Sequence, residues 1–186
     1  MATLIHAYQG DFLVSRGDPF LTLARSVIGQ QISVRAADAV WTRFAAGLGE
    51  VTPTTVLAAD PAQLRAFGLS VRKVEYLEEL ARRFDSGAIS PGRWSRMEDA
   101  AIVAELTATR GIGVWTAEML LIFNLLRPDV FPLADKGLQK AVSMRYGGGA
   151  ALSAAELLAY GDRWRPWRSV ATWYLWRSLD PVPVEY

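Results

Sequence analysis

The stretch from Glu105 to Asp135 constrains this chain most, because two helix-like segments there flank the turn Arg110-Gly111-Ile112-Gly113. Two glycines one residue apart suit a turn that needs positive φ, and they strip side chains from a surface that something large can approach. Apolar residues recur at helical spacing before the turn (Ile102, Val103, Leu106) and after it (Val114, Trp115, Ala117, Met119, Leu120), so the stretch reads as helix, hairpin, helix. In that arrangement the amides of Ile112, Gly113 and Val114 face outward at the start of the second helix. Backbone donors and the helix dipole together hold an anion such as a phosphate there. Taken alone, the glycines also fit an ordinary turn between two helices.

Helix signals fill the rest of the chain. Asp18-Pro19 opens a helix through Phe20, Leu23, Ala24, Val27 and Ile28, and Ser33 caps a second through Val40, Trp41 and Phe44 to a stop at Gly47 and Gly49. Pro53-Thr54 and Asp60-Pro61 start two short helices. Ser70 caps a longer one, Val71 to about Phe84, with the apolar stripe Val74, Leu77, Leu80 and Ala81. Arg72, Lys73, Arg82 and Arg83 flank that stripe and read as its solvated face. Val114 to Leu126 is apolar nearly all round and is expected to be a core helix, ended by Arg127-Pro128. Asp135 stands at the start of a helix reaching Tyr146, Ser153 caps another, and Pro166 opens the last, Trp167–Leu179. Met1–Gly17 is expected to be peripheral, with Ile5, Tyr8, Phe12 and Leu13 lying against a body made elsewhere. No β-pattern competes, so the expectation is all-α, with about nine or ten helices.

Charge and composition narrow the chemistry. With a net charge of +1, no global basic field attracts nucleic acid, so phosphate binding must come from local amides and a few placed arginines. The sequence has no cysteine, which removes disulfides and thiol nucleophiles, and its one histidine, His6, is read as a surface residue rather than part of a zinc site or a Ser-His-Asp triad. The most apolar run, Met119–Leu126, is too short to span a bilayer, and the N-terminus lacks the pattern of a secretion signal. A soluble cytoplasmic protein, nucleoid-associated by function, is expected.

The wider spelling is more specific than the glycines. Thr109-Arg110-Gly111-Ile112-Gly113-Val114-Trp115-Thr116-Ala117, followed by Val130-Phe131-Pro132-Leu133-Ala134-Asp135, resembles the helix-hairpin-helix (HhH-GPD) DNA glycosylase superfamily. The resemblance is greatest to the bacterial 3-methyladenine DNA glycosylase II branch, whose hairpin reads roughly Leu-Pro-Gly-Ile-Gly-x-Trp-Thr-Ala. It extends to Ile28-Gly29-Gln30-Gln31-Ile32-Ser33 and to Arg163-Trp164-Arg165-Pro166-Trp167-Arg168-Ser169, and so covers Asp18 to Trp176.

This resemblance implies a two-lobed helical bundle with an active-site cleft between the lobes. The expected division places residues 25–130 in a wedge and hairpin lobe and residues 1–24 with 131–186 in a lobe made by the two chain ends. In such enzymes a side chain fills the hole left by an extruded base, and Gln31, in the turn Gln30-Gln31, falls at that wedge position; the residues alone read as a solvated helix junction. Asp135 matches the catalytic aspartate, whose charge stabilises an oxocarbenium-like sugar and can orient or deprotonate the attacking water. Its residue-level alternative is a plain helix N-cap, and the two roles are compatible.

Close relatives often carry a second acid where this chain has Ala134. The position of the lysine with which strand-cutting members form a Schiff base holds Trp115, and Lys136 and Lys140 match no such position. Trp115 and Trp176 match tryptophans of the base pocket, where indole faces stack on cationic alkylated purines. Trp164 and Trp167 are expected to fix the Arg-Trp-Arg-Pro-Trp-Arg turn instead.

Phosphate contact is assigned to Arg110, Gly111, Ile112, Gly113 and Val114, alongside Gln30 and Gln31 at the wedge. The family also binds a monovalent cation, sodium or potassium, through hairpin carbonyls, which here would be those of Thr107, Thr109 and Ile112. Thr109-Arg110 replaces the usual Leu-Pro, and the resemblance implies no other cofactor. The four-cysteine iron–sulfur cluster of the endonuclease III branch is excluded by the absence of cysteine. Nothing in the chain corresponds to the N-terminal β-rich domain of longer members.

The expected function is a monomeric, monofunctional glycosylase acting on double-stranded DNA and excising alkylated purines of the 3-methyladenine and 7-methylguanine type in base excision repair. A noncatalytic helix-hairpin-helix DNA-binding module and a glycosylase for deaminated or oxidised bases remain as alternatives.

Overall fold

Side-chain caps begin most of the helices. The structure, a computed structural model, describes residues 1–10 and 13–179. Its helices run in chain order as α1 (Ala2–Ala7), α2 (Pro19–Gly29), α3 (Val34–Leu48), α4 (Pro53–Ala58), α5 (Pro61–Ala66), α6 (Val71–Asp85), α7 (Pro91–Trp94), α8 (Asp99–Thr107), α9 (Val114–Phe123), α10 (Lys136–Tyr146), α11 (Ala154–Asp162) and α12 (Arg168–Arg177). Asp18 accepts the Leu21 amide at 2.9 Å to start α2, with Pro19 in its first turn. Ser33, Thr52, Asp60, Ser70, Asp135 and Ser153 cap α3, α4, α5, α6, α10 and α11 in the same way, each cap being worth about 1 kcal/mol. No strand occurs among the described residues, so the chain is all-α. No described helix is long and apolar enough to cross a membrane.

The described residues divide into two compact units, one made of 16–120 and the other of 1–10 and 13–15 with 121–179. The sequence places the divisions near residues 25 and 130. Their actual places follow from packing: α2 lies against α3 and α6, and Phe123, at the end of α9, stacks on Trp176. The Arg16–Leu120 unit is organised on α6, whose stripe of Val74, Leu77, Leu80 and Ala81 is buried as α2, α4 and α5 pack around it. Removing such a leucine side chain from water contributes about 1.5–3 kcal/mol. In the other unit, α12 packs on α10 and α1 around Leu4, Leu138, Ala141, Val142, Leu157 and Leu175.

The N-terminal segment is not merely peripheral: it forms α1, buries Leu4, and donates from the Met1 amino group to the Tyr146 hydroxyl at 2.8 Å. Tyr8 Oη donates to the Arg177 carbonyl at 2.7 Å, while Phe12 lies outside the described residues. The core helix ends at Phe123 rather than Leu126, because Leu126 takes a φ of 52° and the Arg127 amide turns back to the Leu121 carbonyl. The last helix is Arg168–Arg177, shorter than expected at both ends.

The basic face of α6 is not wholly solvated either. Lys73 Nζ donates to the Ile28 carbonyl at 2.7 Å, its burial lowering its pKa, and Arg83 Nη2 donates to the Glu105 carbonyl at 3.3 Å. Arg72 and Arg82 remain exposed. Trp164 packs on Phe131 and Tyr146, but Trp167 is 61% exposed and joins the turn through its backbone, its amide donating to the Trp164 carbonyl at 2.7 Å. The turn before α12 is held instead by Asp129, which accepts Arg168 Nε at 2.7 Å and Arg165 Nη1 at 2.9 Å. Burial works to raise the Asp129 carboxyl, but the bonds and charge of Arg168, with that of Arg165, outweigh it and hold its pKa below the usual value.

Candidate active site

In the Arg16–Leu120 unit, α8 ends at Thr107 and the turn closes when the Ile112 amide donates to the Thr109 carbonyl at 3.1 Å. This spends the Ile112 amide inside the turn, so it is not one of the outward donors expected from the sequence. The Gly113 and Val114 amides have no acceptor among the described residues. Only Gly111, with a φ of 87°, uses the left-handed freedom of glycine; an added Cβ there would also stand 2.4 Å from the Tyr76 ring. Gly113 serves differently. Nothing lies within 4 Å of the place its Cβ would occupy, and Val114 beside it is 56% exposed, so this edge of the backbone is open to a large anion.

Arg110 is drawn back toward α6: its amide donates to Glu79 Oε1 at 3.0 Å, and Nη2 lies 3.6 Å from Glu75 Oε2. Ile112 is buried, anchoring the turn. The Thr109-Arg110 spelling therefore still makes a closed hairpin, and the Thr109 carbonyl, accepting one amide, keeps a second lone pair. The Thr109 side chain is buried, and its hydroxyl has no hydrogen-bond partner among the described residues.

The turn between α2 and α3 touches the hairpin directly. Gln30 Nε2 donates to the Gly111 carbonyl at 2.8 Å. Gln31 is exposed with a φ of 59°, a left-handed conformation that costs a non-glycine residue roughly 1–2 kcal/mol and persists only where its surroundings hold it. Trp115 stands half-buried in the first turn of α9.

In the other unit, Asp135 caps α10, and its Oδ1 accepts both the Leu138 amide at 2.6 Å and Trp176 Nε1 at 2.8 Å. The Trp176 indole is itself stacked on Phe123, with ring centroids 5.6 Å apart and 18° between planes. The carboxylate is thus oriented by a helix start and by an indole clamped from one side. Gly137 leaves room for this pair, since a Cβ there would stand 3.2 Å from Asp135 Oδ1 and 3.3 Å from Trp176 Cδ1 and press on both.

The loop leading to Asp135 is tied at several points. Ser169 Oγ accepts the Val130 amide at 2.9 Å, Gln139 Nε2 donates to the Leu133 carbonyl at 2.8 Å, and the Asp135 amide donates to the Pro132 carbonyl at 2.9 Å. Lys136 donates to Gln139 Oε1 at 3.2 Å and Lys140 is exposed, as is Ala134. Phe123, Gly137 and Gln139 were not singled out by sequence reasoning; no spacing or composition marks them, since each matters only through what it touches.

The family model described as HhH-GPD superfamily base excision DNA repair protein matches residues 24–166. The DNA-3-methyladenine glycosylase 1 of Schizosaccharomyces pombe is 31% identical over 182 residues, covering 96% of this chain and 80% of that protein. Among solved structures, a DNA-3-methyladenine glycosidase from Bacillus halodurans superposes with a TM-score of 0.87 at 32% identity, covering 96% of this chain and 83% of that one. The S. pombe 3-methyladenine DNA glycosylase in complex with abasic DNA gives a TM-score of 0.82 at 30% identity, covering 98% and 93%. The chain spans only 60 to 66% of the length of three further curated relatives, to which it is 30 to 31% identical.

Proposed function

This chain belongs to the HhH-GPD superfamily of base excision DNA repair proteins, and we propose that it is a monofunctional DNA glycosylase that flips alkylated purines out of double-stranded DNA and hydrolyses their N-glycosidic bonds. One observation carries this reading beyond membership. Asp135 is a carboxylate oriented by two donors on one oxygen, and a module that only binds a polyanion gains nothing from such a group.

Each part then has a task. The Gly113 and Val114 amides, at the start of α9, take a backbone phosphate, and Gln31 occupies the space the extruded nucleotide leaves. A monovalent cation, held by the carbonyls of Thr107, Thr109 and Ile112, would add positive charge at the phosphate. Asp135 faces the sugar, where its charge lowers the barrier as the bond to the base breaks and C1′ becomes electron-poor; it then takes the proton of the water that adds to C1′. Trp115 and Trp176 offer indole faces to the base, and Trp176 is also a positioning residue for Asp135. An alkylated purine leaves readily because its ring already carries positive charge. Work on chromosomal DNA in the cytoplasm is part of this proposal.

Because Trp115 stands where strand-cutting relatives have an amine, the product is expected to be an intact strand with an abasic site. Methylated duplex incubated with the protein should break only after alkali or heat, and borohydride should trap no covalent adduct. Nicking without alkali that disappears in a Lys136 or Lys140 variant would refute this assignment.

The hairpin gives a second expectation. Gly113→Ala places a methyl group at the open backbone edge without conflict inside the protein, since no neighbour lies within 4 Å. Melting temperature should hold, while affinity for a duplex containing an abasic analogue falls about tenfold, measured by fluorescence anisotropy. Unchanged affinity would make the hairpin a mere connector.

A further inference from the structure

Gln31 holds its left-handed backbone between two braces. On one side Lys73 Nζ donates to the Ile28 carbonyl at 2.7 Å, at the end of α2. On the other, Gln30 Nε2 donates to the Gly111 carbonyl at 2.8 Å. Gly111 is itself held by the Tyr76 ring packed against it and by the neighbouring Arg110 amide, bonded to Glu79 Oε1. Two residues later come the open amide of Gly113 and then that of Val114. A single side-chain hydrogen bond thus joins the turn that carries Gln31 to the turn that presents these amides, across a part-buried contact between residues 81 positions apart.

We propose that Gln30 is a positioning residue that couples insertion of Gln31 into the duplex to the grip of the Gly113 and Val114 amides on the phosphate backbone. The proposal rests on the reading of Gln31 as the wedge and of the hairpin as the phosphate site. Pushing a side chain into a base stack loads the turn behind it. Lys73 resists that load at the end of α2, and Gln30 passes it to Gly111. A hairpin fixed on its phosphate holds the Gln31 turn in its strained form, and an inserted Gln31 holds the hairpin in register, so losing one weakens the other.

The test is a double-mutant cycle on the full chain. Affinities for a fluorescent duplex containing a tetrahydrofuran abasic analogue are measured for the parent, Gln31→Ala, Gly113→Ala and the double variant, then for the same set carrying Gln30→Leu. With Gln30 present, the double variant is expected to lose at least about fivefold less affinity than the product of the single losses; with Gln30→Leu, the product should hold within about twofold. A merely structural Gln30 would shift every affinity by a common factor and leave the non-additivity intact, which would overturn the proposal. Losses that multiply within about twofold in the Gln30 protein would overturn it as well, and that cycle needs no Gln30 variant to fold. If Gln31→Ala alone binds like the parent, the wedge reading itself fails and takes the coupling with it.

Discussion

Asp135→Asn lowers single-turnover excision at least about a hundredfold, or roughly 2.7 kcal/mol of transition-state stabilisation, while leaving the fold and DNA affinity nearly intact. The structure says why the two effects separate. Asparagine is as good an N-cap as aspartate, and its amide oxygen can still accept the Leu138 amide and the Trp176 indole N–H. What it lacks is the charge beside the sugar and the basicity to take a proton from water. Comparing melting temperature, abasic-duplex affinity and excision rate on one preparation checks each part. A large fall in melting temperature would make capping the main role of Asp135, and full activity would remove the mechanism.

Trp176→Phe is expected to lower excision at least about tenfold, for cationic and neutral lesions alike. Phenylalanine keeps a ring that can stack on Phe123 but gives no hydrogen bond to Asp135 Oδ1. A hydrogen bond to a charged group is worth about 1.5–3 kcal/mol, and losing this one frees the carboxylate to rotate whatever base is leaving. Trp176→Ala removes the ring as well. If the indole also stacks on the base, this variant loses a further cation–π term of about 0.5–2 kcal/mol, felt by 3-methyladenine more than by hypoxanthine. It also leaves a cavity, so rates must be compared on folded protein only. Wild-type rates in Trp176→Phe would show that the N–H does not position Asp135.

Much of the fold was legible because the signals were local. Ser33, Ser70, Asp135 and Ser153 begin helices as their spelling predicts, and the α6 stripe is buried as its period requires. The first helix was missed because it lacks a side-chain cap and joins the core through Leu4, which meets residues at the other end of the chain. The basic residues of α6 misled for a similar reason: nothing in their spacing shows that Lys73 reaches the Ile28 carbonyl.

At the candidate site, Asp135 could be picked out because a cap and a motif coincide on it. The resemblance names Trp176 too, but as a face of the base pocket; that its N–H orients Asp135 is not legible, since the contact joins residues 41 positions apart. The hairpin shows the limit most plainly. Gly111 and Gly113 look alike in the sequence, yet one is glycine because of its φ and the Tyr76 ring, and the other because its backbone lies open.

The central claim, that this chain cuts the bond between sugar and alkylated base, is tested most directly by mass spectrometry of the bases released from methylated duplex DNA. The expected result is 3-methyladenine and 7-methylguanine in the soluble fraction, with an abasic site left in the strand for each base released and at least about a hundredfold less release by Asp135→Asn at matched concentration. No methylated base above the level of that variant, from protein that still binds an abasic duplex, would contradict it.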